Sequence, residues 1–179
     1  MAKGKITYKQ FVTKYNNSEN KAAFCKSHIV NNYVAYEEKL TEVRRIADLG
    51  NYSSVPSLED ENESKTIFKR NTPIMYYLLK MRLLNDYTDI EIKDGEELET
   101  FNALEEVGAV DALVSSISEN EVTKWHTMLQ MVNDDIYMNE REIVSYLETK
   151  TDALSMVMDT MLSGLGEVAN KLELIQNED

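Results

Sequence analysis

The sequence predicts a mostly α-helical fold: a multi-helix bundle with one short β-hairpin or pair of strands in the middle and a long C-terminal helix. Three observations support this prediction. Only two prolines and six glycines interrupt the 179 residues, a composition that suits helices. Apolar residues recur at steps of three and four along much of the chain, as on one face of a helix. The last segment carries this spacing as a sustained heptad pattern.

Three helices are expected in the first fifty residues. The Thr-Tyr-Lys-Gln segment that begins at Thr7 has the spacing of a capping box and predicts a helix that starts near residue 8. Ser18 is a suitable N-cap for a second helix that runs through about residue 31. Apolar residues at helical spacing predict a third helix over 36–49, and Gly50 stands where a C′ glycine belongs.

A polar stretch and a very apolar helix follow. Residues 51–64 are polar and acidic with one proline, which predicts a linker or mobile loop. Thr72 and Pro73 form an N-cap followed by proline at N1, so a helix is expected over 74–85. Apolar residues lie nearly all round this helix, which predicts that it is central and buried.

Two segments beside this helix have the character of strands. Residues 87–92 alternate with period two and are rich in β-branched side chains. Residues 65–70 offer a second short strand. The two are expected to pair with each other as the only sheet on a helical body.

The remaining elements are helical. A turn at 94–95 precedes a helix over 96–107, with Gly108 as its C′ residue, and a short helix follows over 110–115. The Ser-Glu-Asn-Glu segment that begins at Ser118 has capping-box spacing and opens a long helix to about residue 174. A break near Asn139 is the alternative to one continuous helix.

The clearest periodicity lies at the end of this long helix, where apolar residues alternate steps of four and three. A heptad seam sustained for three heptads predicts a helix–helix contact. Val144 and Leu147 extend the pattern backwards. The seam either docks onto the protein's own body or associates with another copy of the chain. Its residues are Leu154, Met158, Met161, Leu165, Val168, Leu172 and Ile175.

Charge is distributed very unevenly and suggests three regions. Residues 1–50 carry nine Lys/Arg against five Asp/Glu and are interpreted as a basic helical lobe. Residues 51–64 are the acidic loop or linker. Residues 65–179 are interpreted as an acidic helical core that ends in the heptad-patterned helix. The last part, residues 94–179, carries four basic against twenty acidic residues, a net charge of −16. Such a surface either keeps the protein soluble or binds a basic protein partner, and it disfavours nucleic acid.

No pattern in the sequence indicates catalysis, a metal or a cofactor. Cys25 and His28 share a helix face, but two ligands do not complete a zinc site. The glycine and carboxylate spacing of an EF-hand is not met around Gly95, and no phosphate-binding glycine loop occurs. A single cysteine is typical of a reducing compartment, and no apolar run approaches a membrane span. A non-enzymatic protein in the cytoplasm of a host cell is therefore expected, without membrane contact.

Three segments, Ile6–Val12, Tyr87–Ile92 and Met131–Ile136, resemble parts of small acidic proteins encoded by phages and prophages of low-GC Gram-positive bacteria. This resemblance implies one of two functions. One is a host-defence antagonist similar to the anti-CRISPR inhibitors of type II nucleases, many of which are helical and occupy a basic nucleic-acid channel. The other is a virion or assembly protein, such as a head–tail or tail-assembly component, that oligomerises through its C-terminal helix.

The inhibitor is the first hypothesis, because it uses the acidic surface. Its partner would be a basic host protein such as a CRISPR nuclease or another nucleic-acid enzyme. Direct nucleic-acid contact is expected only through the basic N-terminal lobe. The carboxylates predicted to bind the partner form the densest acidic cluster in the sequence: Asp86, Asp89, Glu91, Asp94, Glu96, Glu97 and Glu99.

Overall fold

Seven helices make up most of the part of the chain that the computed structural model describes, residues 4–56 and 64–176. The side chains at positions 55, 56, 64, 65, 153, 157, 159 and 160 and from 162 onward are outside this description. The predicted fold class is confirmed: the chain is mostly helical, with a short sheet in the middle and a long C-terminal helix. The chain divides into two compact units, Met1–Asp134 and Asp135–Asp179.

The elements follow one another with short connections. The helices are α1 (Tyr8–Asn16), α2 (Lys21–Ser27), α3 (Tyr36–Asn51), α4 (Thr72–Tyr87), α5 (Glu97–Glu106), α6 (Ala109–Val114) and α7 (Glu119–Gln176). The strands are β1 (Ile6–Thr7), β2 (Tyr52–Pro56), β3 (Ser64–Phe68) and β4 (Ile90–Glu91).

The first helix starts as predicted, whereas the second is shorter at both ends. The Thr7 side chain accepts a hydrogen bond from the backbone N–H of Gln10 at 3.4 Å, which caps α1. Asn20, not Ser18, caps α2. The chain leaves the helix after Ser27, and Val30 donates its N–H to the carbonyl of Tyr87, the last residue of α4, at 2.8 Å. Asp89 donates its N–H to the carbonyl of His28 at 3.1 Å.

Gly50 was predicted to follow the third helix, but α3 continues through it to Asn51. The reason is contact with α4. A Cβ atom at position 50 would overlap the side chain of Met75, so a larger residue there would force Met75 to move. The α4 N-cap is Asn71, one residue before the predicted Thr72, and its side chain accepts from the N–H of Ile74.

The predicted pairing of 65–70 with 87–92 is wrong. β3 pairs instead with β2 in an antiparallel ladder that joins Tyr52 to Phe68. β4 pairs in parallel with β1, with Ile6 opposite Ile90. A neighbouring segment is the cheaper partner because closing a short loop costs less entropy. Within the predicted linker at 51–64, Asn51 ends α3, β2 follows, and Ser64 begins β3. Residues 57–63 lie outside the described residues.

The core of the first unit combines residues from both ends of that unit. Phe11 and Cys25, from the basic first fifty residues, are fully buried in one cluster with Leu84, Leu104 and Leu113. α4 contributes six buried side chains, in keeping with a central helix, although its Ile74 and Tyr76 remain exposed: Met75, Leu79, Met81, Leu83, Leu84 and Tyr87.

The C-terminal elements largely follow the prediction. Gly108 adopts φ of +70° directly after α5, as a C′ glycine should, and Gly95 adopts φ of +85° in the predicted turn. The long C-terminal helix is confirmed, and the alternative of a break near Asn139 is not: α7 continues as one helix to Gln176. Among the described residues, no helix combines the length and the apolar character needed to cross a membrane.

Candidate functional site

The structure does not bring the seven predicted partner-binding carboxylates onto one face. Asp89 lies inside the first unit with 4% of its surface exposed. Its Oδ1 is 2.7 Å from Nδ1 of His28, and the imidazole packs against the rings of Phe11 and Phe24. A carboxylate in this position holds the end of α2 against the end of α4 and is not accessible to a partner protein.

Asp86 forms an ion pair with Arg82. Its Oδ2 accepts a hydrogen bond from Nε of Arg82 at 2.7 Å, and the same guanidinium reaches Glu38 and Glu42 on α3 at 3.2 and 3.4 Å. Burial raises the pKa of Asp86, and the Arg82 guanidinium opposes that rise. These bonds tie α3 to α4, so Asp86 also serves the protein's own structure.

The last five acidic residues of the predicted set are nearer the surface. Tyr8 donates its hydroxyl hydrogen to Glu99, and Lys9 lies 3.7 Å from the same oxygen. The hydrogen bond from Tyr8, followed by the charge of Lys9, lowers the pKa of Glu99. Four carboxylates then remain for partner contact: Glu91, Asp94, Glu96 and Glu97.

Two of these four line an open pocket. Asp94 and Glu97 lie beside Arg45 and Arg82 at a cavity of about 410 Å³. Two basic and two acidic side chains line it, so it does not present one sign of charge. The acidic surface is therefore smaller, and more mixed, than the sequence predicted.

The heptad seam is the second predicted site, and its described side chains are exposed. The exposed fraction of each described residue lies between 52% and 66%. These residues are Val144, Leu147, Leu154, Met158 and Met161. The side chains of the other seam residues lie outside the described ones: Leu165, Val168, Leu172 and Ile175. An apolar line with the heptad spacing on an exposed helix can bind another helix.

A third site was missed by sequence reasoning. Lys39 and Glu121 form an ion pair in which only 2% and 6% of the two side chains are exposed. Tyr87 donates its hydroxyl hydrogen to Glu121 at 2.8 Å and accepts one from the indole of Trp125 at 3.0 Å. Lys124 binds the other oxygen of Glu121 at 3.0 Å. This buried polar network joins α3, α4 and α7.

The network fixes the ionisation of its members. Burial alone would raise the pKa of Glu121, but hydrogen bonds from Lys39, Tyr87 and Lys124 outweigh it and lower this pKa to about 2. Burial, together with the hydrogen bond to the Glu121 carboxylate, raises the pKa of Tyr87. Glu121 is thus a carboxylate, and Tyr87 a phenol, at any physiological pH.

A sequence signal for this network does exist. Lys39 lies four residues before Val43, and Glu121 lies four residues before Trp125, so both charges occupy the apolar stripe of their helix. A charge at a stripe position is buried on folding and needs a partner of opposite sign. Two stripe charges of opposite sign, one on each helix, therefore predict a buried ion pair.

An open pocket of about 360 Å³ lies over this network, and we call it the tyrosine pocket. Its lining is mostly apolar, with the rings of two exposed tyrosines and the stem of a methionine. The residues that line it are Tyr33, Tyr36, Lys39, Thr123, Lys124, Thr127 and Met128.

Cys25 and His28, the two residues considered as metal ligands, both serve the interior of the first unit. Cys25 is fully buried, and burial raises the pKa of its thiol to about 11, so it is not a thiolate at neutral pH. His28, which shares its helix end, is bonded to Asp89. Within the described residues, no three His, Cys, Asp or Glu side chains are grouped so that they could hold a metal ion.

No protein-family model, curated protein or solved structure matches this chain. Its function is therefore inferred from its own residues and their geometry.

Proposed function

We propose that this protein acts by protein–protein binding and that it assembles with a second copy of itself through the heptad seam of α7. The observation that carries the proposal is the exposure of the seam. Val144, Leu147, Leu154, Met158 and Met161 follow heptad spacing, and each is more than half exposed. This role corresponds to the assembly protein that the sequence offered as an alternative.

The physical reason is that the seam needs a partner. An isolated helix is only marginally stable in water, and most helical stability comes from packing of an apolar face. A heptad seam fits a second helix with the same repeat, because knobs enter holes in register. The described part of this chain has one such seam, and a second copy supplies another.

The sequence left two partners open for this seam, the protein's own body and another copy of the chain. The proposal takes the second, because another copy carries the same heptad repeat.

The test compares two methionines on one helix. Met158 lies in the seam, whereas Met156 is two residues earlier, about 200° round the helix. Both are more than half exposed in the single chain. We expect Met158→Asp to weaken self-association strongly, because it places a charge in an apolar interface. Met156→Asp introduces the same charge outside the seam and should leave association nearly unchanged.

Sedimentation velocity over a range of protein concentrations measures this difference. Proteins that stay monomeric at every concentration, or equal effects of the two substitutions, would overturn self-association through the seam. A circular-dichroism spectrum of each variant checks that α1–α6 remain folded.

We propose, as a second candidate function, binding of the acidic surface to a basic, nucleic-acid-handling host protein. The net charge of −16 over residues 94–179 supports it, and Glu97 is the surface carboxylate to test. Reversing a rim charge lowers the association rate first, and added salt weakens the complex. Glu97→Lys should therefore slow association with a type II CRISPR nuclease, measured by surface plasmon resonance, more than Glu119→Lys does. Absence of binding at low salt would reject this function.

A further inference from the structure

We propose that the tyrosine pocket binds a small aromatic anion, with its ring between Tyr33 and Tyr36 and its negative group at Lys124. This inference is independent of assembly through the seam. All residues of the pocket belong to the first unit, and the seam belongs to the second.

The walls of the pocket suit an aromatic ring. Tyr33 and Tyr36 are both more than 60% exposed, which leaves their rings available for stacking. Lys39, which also lines the pocket, holds its ammonium group 4.9 Å from the centre of the Tyr33 ring, a cation–π contact that restrains this ring. The volume of about 360 Å³ lies within the usual range of small-molecule sites.

The charge at the floor of the pocket suits an anion. Lys39 and Lys124 both bind Glu121, so two ammonium groups share one carboxylate and one positive charge remains. None of the residues that line the pocket is acidic. Lys39 is buried, whereas half of the Lys124 side chain is exposed and can turn toward a ligand. A positive site in a chain of net charge −13 selects for negative ligands locally.

The floor is also rigid, which favours binding. Glu121 is held by three donors, and Trp125 is anchored through Tyr87 beneath it. When Lys124 turns toward a ligand, Lys39 and Tyr87 still hold Glu121, so only the Lys124 side chain has to be reordered on binding.

The experiment uses two probes with the same ring system, 2-naphthoate and its neutral amide 2-naphthamide. Each is titrated into the full-length ¹⁵N-labelled protein, and amide shifts are followed by NMR. We expect 2-naphthoate to shift the amides of Thr123, Lys124 and Thr127 and to bind more tightly than the amide. Removing the charge by Lys124→Gln should weaken 2-naphthoate by roughly threefold to fivefold and leave 2-naphthamide unchanged.

Lys150→Gln is the matched control, since Lys150 is an exposed lysine of the same helix that also lies over a tyrosine ring, at 5.3 Å from Tyr146. It should not change the affinity of either probe. Tyr36→Ala should weaken both probes, because it removes a wall and not the charge. The proposal is overturned by an absence of pocket shifts at millimolar 2-naphthoate, by equal affinity for the two probes, or by equal effects of Lys124→Gln and Lys150→Gln.

Discussion

The two units use the same kind of apolar helix in opposite ways. In α3 of the first unit, the stripe residues Val43, Ile46 and Ala47 are completely buried. In the second unit, the described seam residues of α7 are more than half exposed, and the last buried side chain of the described chain is Asn133. Apolar periodicity thus shows that a helix has a face to cover, but not which molecule covers it.

Charges differ between the units in the same way. The first unit buries ion pairs such as Lys39 with Glu121, and each links elements distant in sequence. In the second unit, the described charged residues of α7 beyond position 140 are all exposed. Buried ion pairs therefore join elements within the first unit, whereas these charged side chains of the second unit are in contact with solvent.

The largest effect is expected when a charge is placed in the core of the first unit, which tests whether its apolar residues are buried as the comparison requires. Leu104 is fully buried in α5, and Leu98 of the same helix is 61% exposed. Leu104→Asp should lower the free energy of unfolding by about 4 kcal/mol or more, since it buries an unpaired carboxylate. Leu98→Asp should change it by less than about 0.5 kcal/mol. Urea denaturation followed by the fluorescence of Trp125 measures both, and similar effects would contradict the assigned burial.

The next largest effect is expected in the buried network. Glu121→Gln leaves the buried ammonium of Lys39 without its counter-charge, so we expect a loss of about 3–5 kcal/mol in unfolding free energy. Glu119→Gln, at an exposed position of the same turn, is the control. A loss below about 1 kcal/mol for Glu121→Gln would show that the network contributes little beyond an exposed pair.

Acid should weaken the same network. The folded pKa of Glu121 is about 2, below its ordinary value of 4.5, so this carboxylate stabilises the fold fully above pH 5. That contribution, about 3 kcal/mol at most, is lost as the pH falls through 4.5 toward 2. The unfolding free energy of the native chain should fall more steeply over this interval than that of Glu121→Gln. Parallel curves for the two proteins would refute the assignment.

A smaller effect is expected where α3 meets α4. Gly50→Ala should cost about 1–3 kcal/mol because its Cβ would overlap Met75, less what alanine gains as a better helix former. In a Met75→Ala background the overlapping atoms are gone. Gly50→Ala should then be neutral or stabilising, and the same cost in both backgrounds would show that crowding is not the cause.

The smallest effect is expected in the seam. Leu154→Asp alters a residue that is 64% exposed, so it should change the unfolding free energy of the first unit by less than about 0.5 kcal/mol. The measurement is made at a protein concentration below that of self-association, because assembly itself adds stability. A larger loss would mean that the exposed face supports the first unit directly.

Features fixed by neighbouring residues were predictable from the sequence. Thr7 caps α1 through a residue three positions later, and Gly108 provides a positive φ at the end of α5. Most helices were placed within a few residues for this reason. The partner of a strand is not local information: period two identified the segment at Ile90, but its pairing with Ile6 depends on the whole fold.

The candidate sites show the same limit. The seam follows from spacing within one helix, so it was predictable, although its exposure was not. The acidic cluster looked uniform in the sequence because its partners lie elsewhere. Asp89 is buried against His28, and Glu99 accepts a hydrogen bond from Tyr8. Both partners, His28 and Tyr8, lie in the first thirty residues of the chain. The Lys39–Glu121 pair was missed because Glu121 was considered only as part of a capping box, and its partner lies 82 residues earlier in the chain.

The burial of Cys25 has a practical consequence for measuring how two seams would align. A thiol that is fully buried, with a pKa of about 11, reacts slowly with disulfides and maleimides at neutral pH. It is also the only cysteine of the chain. A cysteine introduced by Leu154→Cys would therefore be the one readily labelled position. Crosslinking between copies, or spin labels at this position, would then report the register and the relative orientation of the two helices without first replacing Cys25.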